Sequence, residues 1–261
     1  MKMVQKTAVQ WLSFLQDCAQ EADLMANHFF KKSLKIHEKK DRTLVTEADL
    51  AIETKIRDYA KDFDSNIEVL GEEFGVCSQD AELKLIIDPI DGTANFIRGI
   101  PIFACLLAIE FDGEIIAALV SNPVTKERWT AIKGEGAFYN EKRIHVSDIS
   151  QLSNSQVFYG SLYGLEAKGL VVSNVMTLFS QTKRQRGIGD FLMHLWVSMG
   201  YGEFAFDVNL NPWDMAPLAL IVTESGGQVS TLSGAPFSIY QPTILSSNGC
   251  FHSEIANCLN A

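Results

Sequence analysis

Leu83-Lys84-Leu85-Ile86-Ile87-Asp88-Pro89-Ile90-Asp91-Gly92-Thr93 governs how the rest of the chain is read. The mostly apolar run over residues 83–87 predicts a short buried strand that leads directly into two carboxylates. Pro89 has no N–H and stops further ladder pairing, so Asp88 and Asp91 can turn toward one point and bridge two cations. Gly92 lacks a Cβ, which lets a phosphate approach the backbone closely. The amides of Gly92, Thr93 and Ala94 would open a helical turn, a ready seat for an anion. Taken alone, the motif is also compatible with a surface turn, because Asp, Pro and Gly are ordinary turn formers.

The surroundings point away from a simple turn. Residues 67–70 form a second short apolar run, and it too leads into acids, in Gly71-Glu72-Glu73-Phe74-Gly75. Upstream, Thr46-Glu47-Ala48-Asp49 reads as a helix start, with Thr46 as cap and Asp49 three residues on. Downstream, Trp213-Asp214 opens a long apolar helix; by itself that acid is only what a helix dipole favours. Ligands of open α/β folds usually bind at strand ends, where these carboxylates fall. Gathered at one place they repel one another unless cations or protons neutralise them. Oxygen donors with no His or Cys nearby in sequence suit Mg2+, with Mn2+ as a substitute, and not zinc.

The remaining chain predicts alternating elements. Residues 4–32 carry an amphipathic helix, and a second helix runs from Thr46 to about Phe63, after a basic break at residues 37–42. Strands are expected over 103–110, 114–121, 128–132 and 137–139, with Asp112-Gly113 turning a hairpin between the first two. After Ser147 the pattern becomes strand 157–160, helix 167–181, helix 191–199, strand 203–207, helix 213–224, strand 244–247 and helix 253–259. Gly226-Gly227 stops the helix before it. The expectation is a layered α/β (α+β) sandwich with a half at 1–147, carrying most candidate ligands, and a half at 148–261 that completes the site.

Composition narrows the function. Of 261 residues, 47% are apolar and 21% charged, an ordinary globular balance that argues against disorder. The formal net charge of −10 disfavours a nucleic-acid partner, while bound cations can still reverse the local sign for a phosphorylated small molecule. No run of 18 apolar residues exists, and the N-terminal pattern is amphipathic, unlike a signal peptide, so no membrane partner and a cytoplasmic location are expected. The 5 cysteines are scattered, with no CxxC pair, and read as plain thiols. His37, His145, His194 and His252 lack metal-ligand spacing and are expected at the surface or beside the site. Lys39-Lys40-Asp41-Arg42 reads as a charged surface loop, and Arg184 and Arg186 as a solvated strand end or a substrate contact.

Gly71-Glu72-Glu73, Asp88-Pro89-Ile90-Asp91-Gly92-Thr93-Ala94-Asn95-Phe96, and Trp213-Asp214 followed by Glu224-Ser225-Gly226-Gly227 together resemble the signatures of the inositol monophosphatase superfamily. Val45-Thr46-Glu47-Ala48-Asp49 fits as well, and the similarity runs in order over essentially the whole chain. The resemblance implies a five-layer αβαβα sandwich, usually dimeric, a phosphoric monoester hydrolase with two or three Mg2+ ions, and inhibition by lithium. Carried over residue by residue, Glu72, Asp88 and the Ile90 carbonyl would hold a first ion, and Asp88, Asp91 and Asp214 a second. A third would lie near Glu72. The attacking water would be oriented by Thr93 and assisted by Asp49 or Glu72. Asp91, Gly92, Thr93, Asp190, Asp207 and Asp214 would contact substrate.

Within that superfamily the chain looks most like the histidinol-phosphate phosphatase branch. The matching segments are Phe96-Ile97-Arg98-Gly99-Ile100-Pro101, Arg128-Trp129, His145-Val146-Ser147 and Gly187-Ile188-Gly189-Asp190-Phe191. Asp190 stands where inositol-type enzymes usually carry a small residue. Histidinol phosphate brings an ammonium and an imidazole, which Asp190 and Asp207 can pair with; inositol brings only hydroxyls. Asp190 is equally placed to cap the following helix. The alternatives are an inositol-1-phosphate or related polyol or nucleotide phosphatase, and a regulatory role that needs no intact metal site.

Overall fold

The computed structural model describes residues 6–32, 35–38, 44–75, 81–160 and 170–261. The loop at 39–42 and Cys77 lie outside them. The chain forms two compact units, Met1–Glu135 and Gly136–Ala261.

The first unit opens with α1, Ala8–Phe29, started by a capping box in which Thr7 and Gln10 exchange bonds. A two-stranded antiparallel ribbon follows, β1 (Ile36–Glu38) with β2 (Leu44–Thr46), then α2 (Glu47–Phe63). Strands β3 (Glu68–Gly71), β4 (Leu83–Asp91), β5 (Ala104–Phe111), β6 (Glu114–Asn122) and β7 (Glu127–Ile132) lie side by side in that order. The β3–β4 pair is parallel and the others antiparallel. Asp112 and Gly113 both take positive φ, 51° and 80°, as the tight β5–β6 hairpin requires.

Alternation along the strands decides what packs where. Val69, Leu85, Ile87, Cys105, Leu107, Ile109, Ala117 and Leu119 share one face of the sheet. They form one core with Trp11, Phe14, Leu15 and Cys18 of α1 and Ile52 and Ile56 of α2. The intervening Ile86, Leu106, Ala108, Ala118 and Val120 are buried too, which is why these strands read as continuous apolar runs. Burial pushes the Cys18 thiol up to about 12 and holds the Cys105 thiol well above its ordinary value.

The second unit begins with the ribbon β8 (Gly136–Tyr139) and β9 (Lys142–Arg143). Its sheet comprises β10 (Gln156–Tyr159), β11 (Arg184–Gly187), β12 (Phe204–Val208), β13 (Gln228–Ser230) and β14 (Thr243–Ser247), in the order β11-β10-β12-β14-β13. The first three are mutually parallel, and β14 runs antiparallel to both its neighbours. Val157, Phe204, Phe206 and Leu245 pack with α4 (Val172–Ser180) and α7 (His252–Leu259). Phe158 and Ala205, one residue out of phase, pack with α5 (Asp190–Ser198) instead. Alternate side chains of a strand point to opposite faces, so the helices flank this sheet on both sides. The long α6, Pro212–Glu224, packs against α5.

The expected elements are shifted at their ends, and the short strands β1, β2, β9 and β13 were not among them. The helix expected over 167–181 is α4, described from Val172 to Ser180, and residues 167–169 lie outside the described chain. The strand expected to stop at Ile87 runs to Asp91, with a register shift between Asp88 and Asp91 where Pro89 interrupts the ladder. His194 and His252 are buried, not at the surface; serines meet both ring nitrogens of His252 but only one of His194, whose Nε2 has no hydrogen-bond partner. His194 Nδ1 lies 2.8 Å from Ser246 Oγ. His252 spans Ser247 Oγ and Ser230 Oγ at 2.7 Å each.

Candidate active site

Glu72 and Asp88 follow neighbouring positions of two paired strands. Gly71 and Ile87 are partners in the parallel β3–β4 ladder, so Glu72 leaves the end of β3 beside Asp88, which stays paired with Leu106 of β5. The Glu72 amide donates to the Ile87 carbonyl at 3.2 Å and ties the two strands together there. Asp88 is 2% exposed, with Oδ1 accepting the Ile90 amide at 2.9 Å. The bulge then carries the chain past Pro89 to Asp91. Gly92 turns it at φ 84°, and Thr93 starts the short α3, Thr93–Ile97. Thr93 Oγ1 donates to the Ile90 carbonyl at 3.0 Å. One turn thus gathers the carboxylates of Asp88 and Asp91, the Ile90 carbonyl and the Thr93 hydroxyl.

Asp49 reaches this region from the first turn of α2. Its Oδ2 accepts from the Thr46 amide at 2.8 Å and from Thr46 Oγ1 at 2.5 Å. The residue is fully buried, and its Oδ1 has no hydrogen-bond partner. Burial raises the carboxyl to about 6, the Thr46 donors pull it down, and the nearby Glu72 charge pushes it up.

The Gly71–Gly75 turn is held by two residues the sequence reading passed over. Glu53, fully buried on α2, accepts the Glu73 amide at 2.8 Å and the Phe74 amide at 3.3 Å. Arg57, one helical turn on, pairs with Glu53 at 2.8 Å and donates to the Gly75 carbonyl at 2.5 Å. A Cβ at Gly71 would sit 2.0 Å from Glu53 Oε1, so that glycine is required by close approach. The available signal was an acid and a base four apart on the inner face of a predicted helix.

In the second unit, Asp190 and Asp207 come to the same edge of the sheet, beyond the parallel ends of β10, β11 and β12. Ile188 donates to the Tyr159 carbonyl at 3.1 Å, which folds the Gly187–Asp190 segment over that edge. Asp190 is the first residue of α5, at φ 57°, directly after Gly189 at the N-cap position. Asp207 Oδ1 accepts its neighbour's amide, Val208 N, at 2.8 Å, and a Cβ at Gly160 would meet Asp207 Oδ2 at 2.5 Å. Desolvation raises both carboxyls; Asp207 reaches about 7, pushed further by the charge of Asp190. Two buried acids this close, one raised by the charge of the other, are a place for a cation. Asp214 stands in the first turn of α6, where its Oδ2 accepts the Asn211 amide at 2.7 Å.

Residues 8–261 match the model of the inositol monophosphatase family. The chain belongs to that family. It is therefore a phosphatase, a hydrolase of phosphoric monoesters. It is 36% identical over 255 residues to a histidinol-phosphatase of Streptomyces coelicolor, covering 94% of each chain. It is 33% identical over 220 residues to a fructose-1,6-bisphosphatase/inositol-1-monophosphatase of Thermotoga maritima, covering 84% of this chain and 83% of that one. Among solved structures, an IMPase of Thermotoga maritima superposes with a TM-score of 0.87 at 29% identity, covering 96% of this chain and 97% of the other. The α/β architecture is that of these phosphatases. Among the described residues, no helix is long and apolar enough to cross a membrane.

The family implies divalent cations, and the first unit's donors fit one. They are all hard oxygens, Asp88 is buried, and Asp49 holds a buried Oδ1 that no protein group satisfies.

Proposed function

We propose that this phosphatase is Mg2+-dependent and hydrolyses a small phosphate monoester whose alcohol carries positive charge, histidinol phosphate being the best match. The observation that carries the substrate class is the Asp190–Asp207 pair, two carboxyls raised by burial, with the charge of Asp190 pushing Asp207 up further. A cationic alcohol relieves that repulsion, whereas a neutral polyol leaves it in place.

Glu72, Asp88, Asp91 and the Ile90 carbonyl are the groups that would hold the ions, with Asp214 the further ligand expected from the family pattern. When bound, the ions supply water acidified for attack and positive charge at the phosphoryl oxygens. The protein's own part is positioning and proton handling. Thr93, held by its bond to the Ile90 carbonyl, orients the attacking water. Asp49, with a carboxyl near 6 in the ion-free protein, takes up a proton from that water, alone or with Glu72. The backbone after Gly92 receives the phosphate. Attack on phosphorus then breaks the phosphorus–oxygen bond to the alcohol, whose oxygen takes its proton from solvent water. Association as a homodimer and sensitivity to lithium belong to the same reading.

Release of inorganic phosphate from histidinol phosphate and from inositol 1-phosphate, with and without Mg2+, tests it. The expected result is Mg2+-dependent turnover with kcat/KM at least tenfold higher for histidinol phosphate. Asp190→Asn should lower kcat/KM for the cationic substrate by roughly tenfold, about 1.4 kcal/mol, and leave inositol 1-phosphate within about threefold. A preference for inositol 1-phosphate in the unmodified enzyme would overturn the substrate assignment.

A further inference from the structure

We infer that Glu53, backed by Arg57, is a positioning residue that fixes where Glu72 presents its carboxylate to a divalent cation. The inference rests on the metal-dependent reading above.

Glu53 is a fully buried carboxylate, and a buried ion pair is a poor device for stability alone, since apolar residues of similar volume usually serve as well or better. What the pair does here is specific to one turn. Its oxygens accept the amides of Glu73 and Phe74, the two residues after Glu72, while Arg57 takes the Gly75 carbonyl. On the other side, the Glu72 amide is bound to the Ile87 carbonyl of the strand that delivers Asp88. Glu72 is therefore pinned from both flanks, by α2 and by β4, and the same helix α2 carries Asp49. Gly71, with no room for a Cβ against Glu53, lets the helix side chain come this close to the turn. Three carboxylates from separate elements are thereby kept in register by one buried pair that touches no substrate. Glu53→Gln keeps the volume but swaps one oxygen for an N–H donor, which then faces either the Glu73 amide or Arg57. Either way one bond becomes a donor–donor contact.

The test compares wild type, Glu53→Gln, Gly71→Ala and, as a control, Glu110→Gln. Glu110 forms the other buried ion pair described in this unit, with Lys84 at 3.3 Å, away from the turn. Three quantities are read: Mn2+ binding followed by electron paramagnetic resonance, the Mg2+ dependence of phosphate release, and the thermal midpoint. Glu53→Gln and Gly71→Ala are expected to weaken Mn2+ binding by about tenfold or more, the scale seen when groups behind metal ligands are removed. The Mg2+ midpoint of turnover should rise in parallel, with kcat at saturating Mg2+ within about threefold of wild type. Glu110→Gln should lower the thermal midpoint without moving either metal readout. The inference is overturned if Glu53→Gln binds Mn2+ like wild type. It is equally overturned if Glu53→Gln and Gly71→Ala merely unfold where Glu110→Gln does not, since the pair would then be structural only. A wild-type enzyme indifferent to divalent cations would instead sink the underlying functional reading, and the wild-type arm alone decides that.

Discussion

Asp207, a proposed substrate contact, also bears on stability. Its carboxyl rises from 3.8 to about 7 on folding, so between those values the folded chain holds a proton that the unfolded chain has lost. The stabilising contribution is whole below about pH 3.8 and disappears as pH climbs through about 7. In the absence of divalent ions, Asp207→Asn should flatten the dependence of the urea midpoint between pH 5 and 8. At pH 8 the variant should be more stable than wild type by on the order of 2 kcal/mol. Asn retains the acceptor for the Val208 amide, so no other bond is lost. Asp88 makes the opposite case, because no substitution leaves its role intact. Asp88→Asn removes a buried anionic oxygen, and Mg2+-dependent turnover should fall by about 100-fold or more with the circular dichroism unchanged. All three acids were visible in the sequence, Asp88 from its motif and Asp190 and Asp207 from a resemblance. The positive φ of Asp190 was not visible, because a cap and a strained first-turn residue look alike as letters.

At the scale of elements, α2 carries the most. Its N-terminus is tied to Asp49 through the reciprocal Thr46 bonds, and its inner face supplies Glu53 and Arg57. Thr46→Ala deletes the 2.5 Å bond to Asp49 and the cap on Ala48. It should lower stability by about 1 kcal/mol in urea unfolding, with Thr46→Ser recovering most of that loss. The capping box was legible because its spacing is local. The long helices and the apolar strands β4, β5 and β6 were legible for the same kind of reason, since periodicity and unbroken apolar runs report burial directly. Strands β1, β11 and β13 were not, being three or four residues long and largely polar, with Arg184–Gly187 at a sheet edge. The Glu53 bonds to the Gly71–Gly75 turn join residues 20 and 21 apart, and no periodic signal spans that interval.

For the whole chain, the net charge of −10 and the carboxylates held in poor contact with water lead to the expectation that divalent cations stabilise the fold if the proposed metal dependence holds. Chelation with EDTA should therefore lower the thermal midpoint, and added Mg2+ should restore it. At 100 times the dissociation constant, one bound ion contributes about 2.7 kcal/mol, or roughly 5 °C or more for a chain of this size. Calcium, which binds oxygen donors but polarises water less, should restore the midpoint more fully than the turnover. Composition excluded classes of function and the motifs placed the bond that is cut. The proposed substrate contacts depend on how the Gly187–Asp190 segment folds over a sheet edge, which no single stretch of sequence encodes.

Burial of Cys18 and Cys105 between α1 and the first sheet gives the enzyme an internal clock. Thiolate is the reactive form, and both thiols are kept protonated and out of solvent, whereas Cys250 is exposed. In a pulse of alkylating reagent Cys250 is modified at once, while Cys18 and Cys105 wait for the helix to lift from the sheet. The delay, read by mass spectrometry, times the breathing of the unit that carries Glu72 and Asp88, and that breathing should slow as Mg2+ is added.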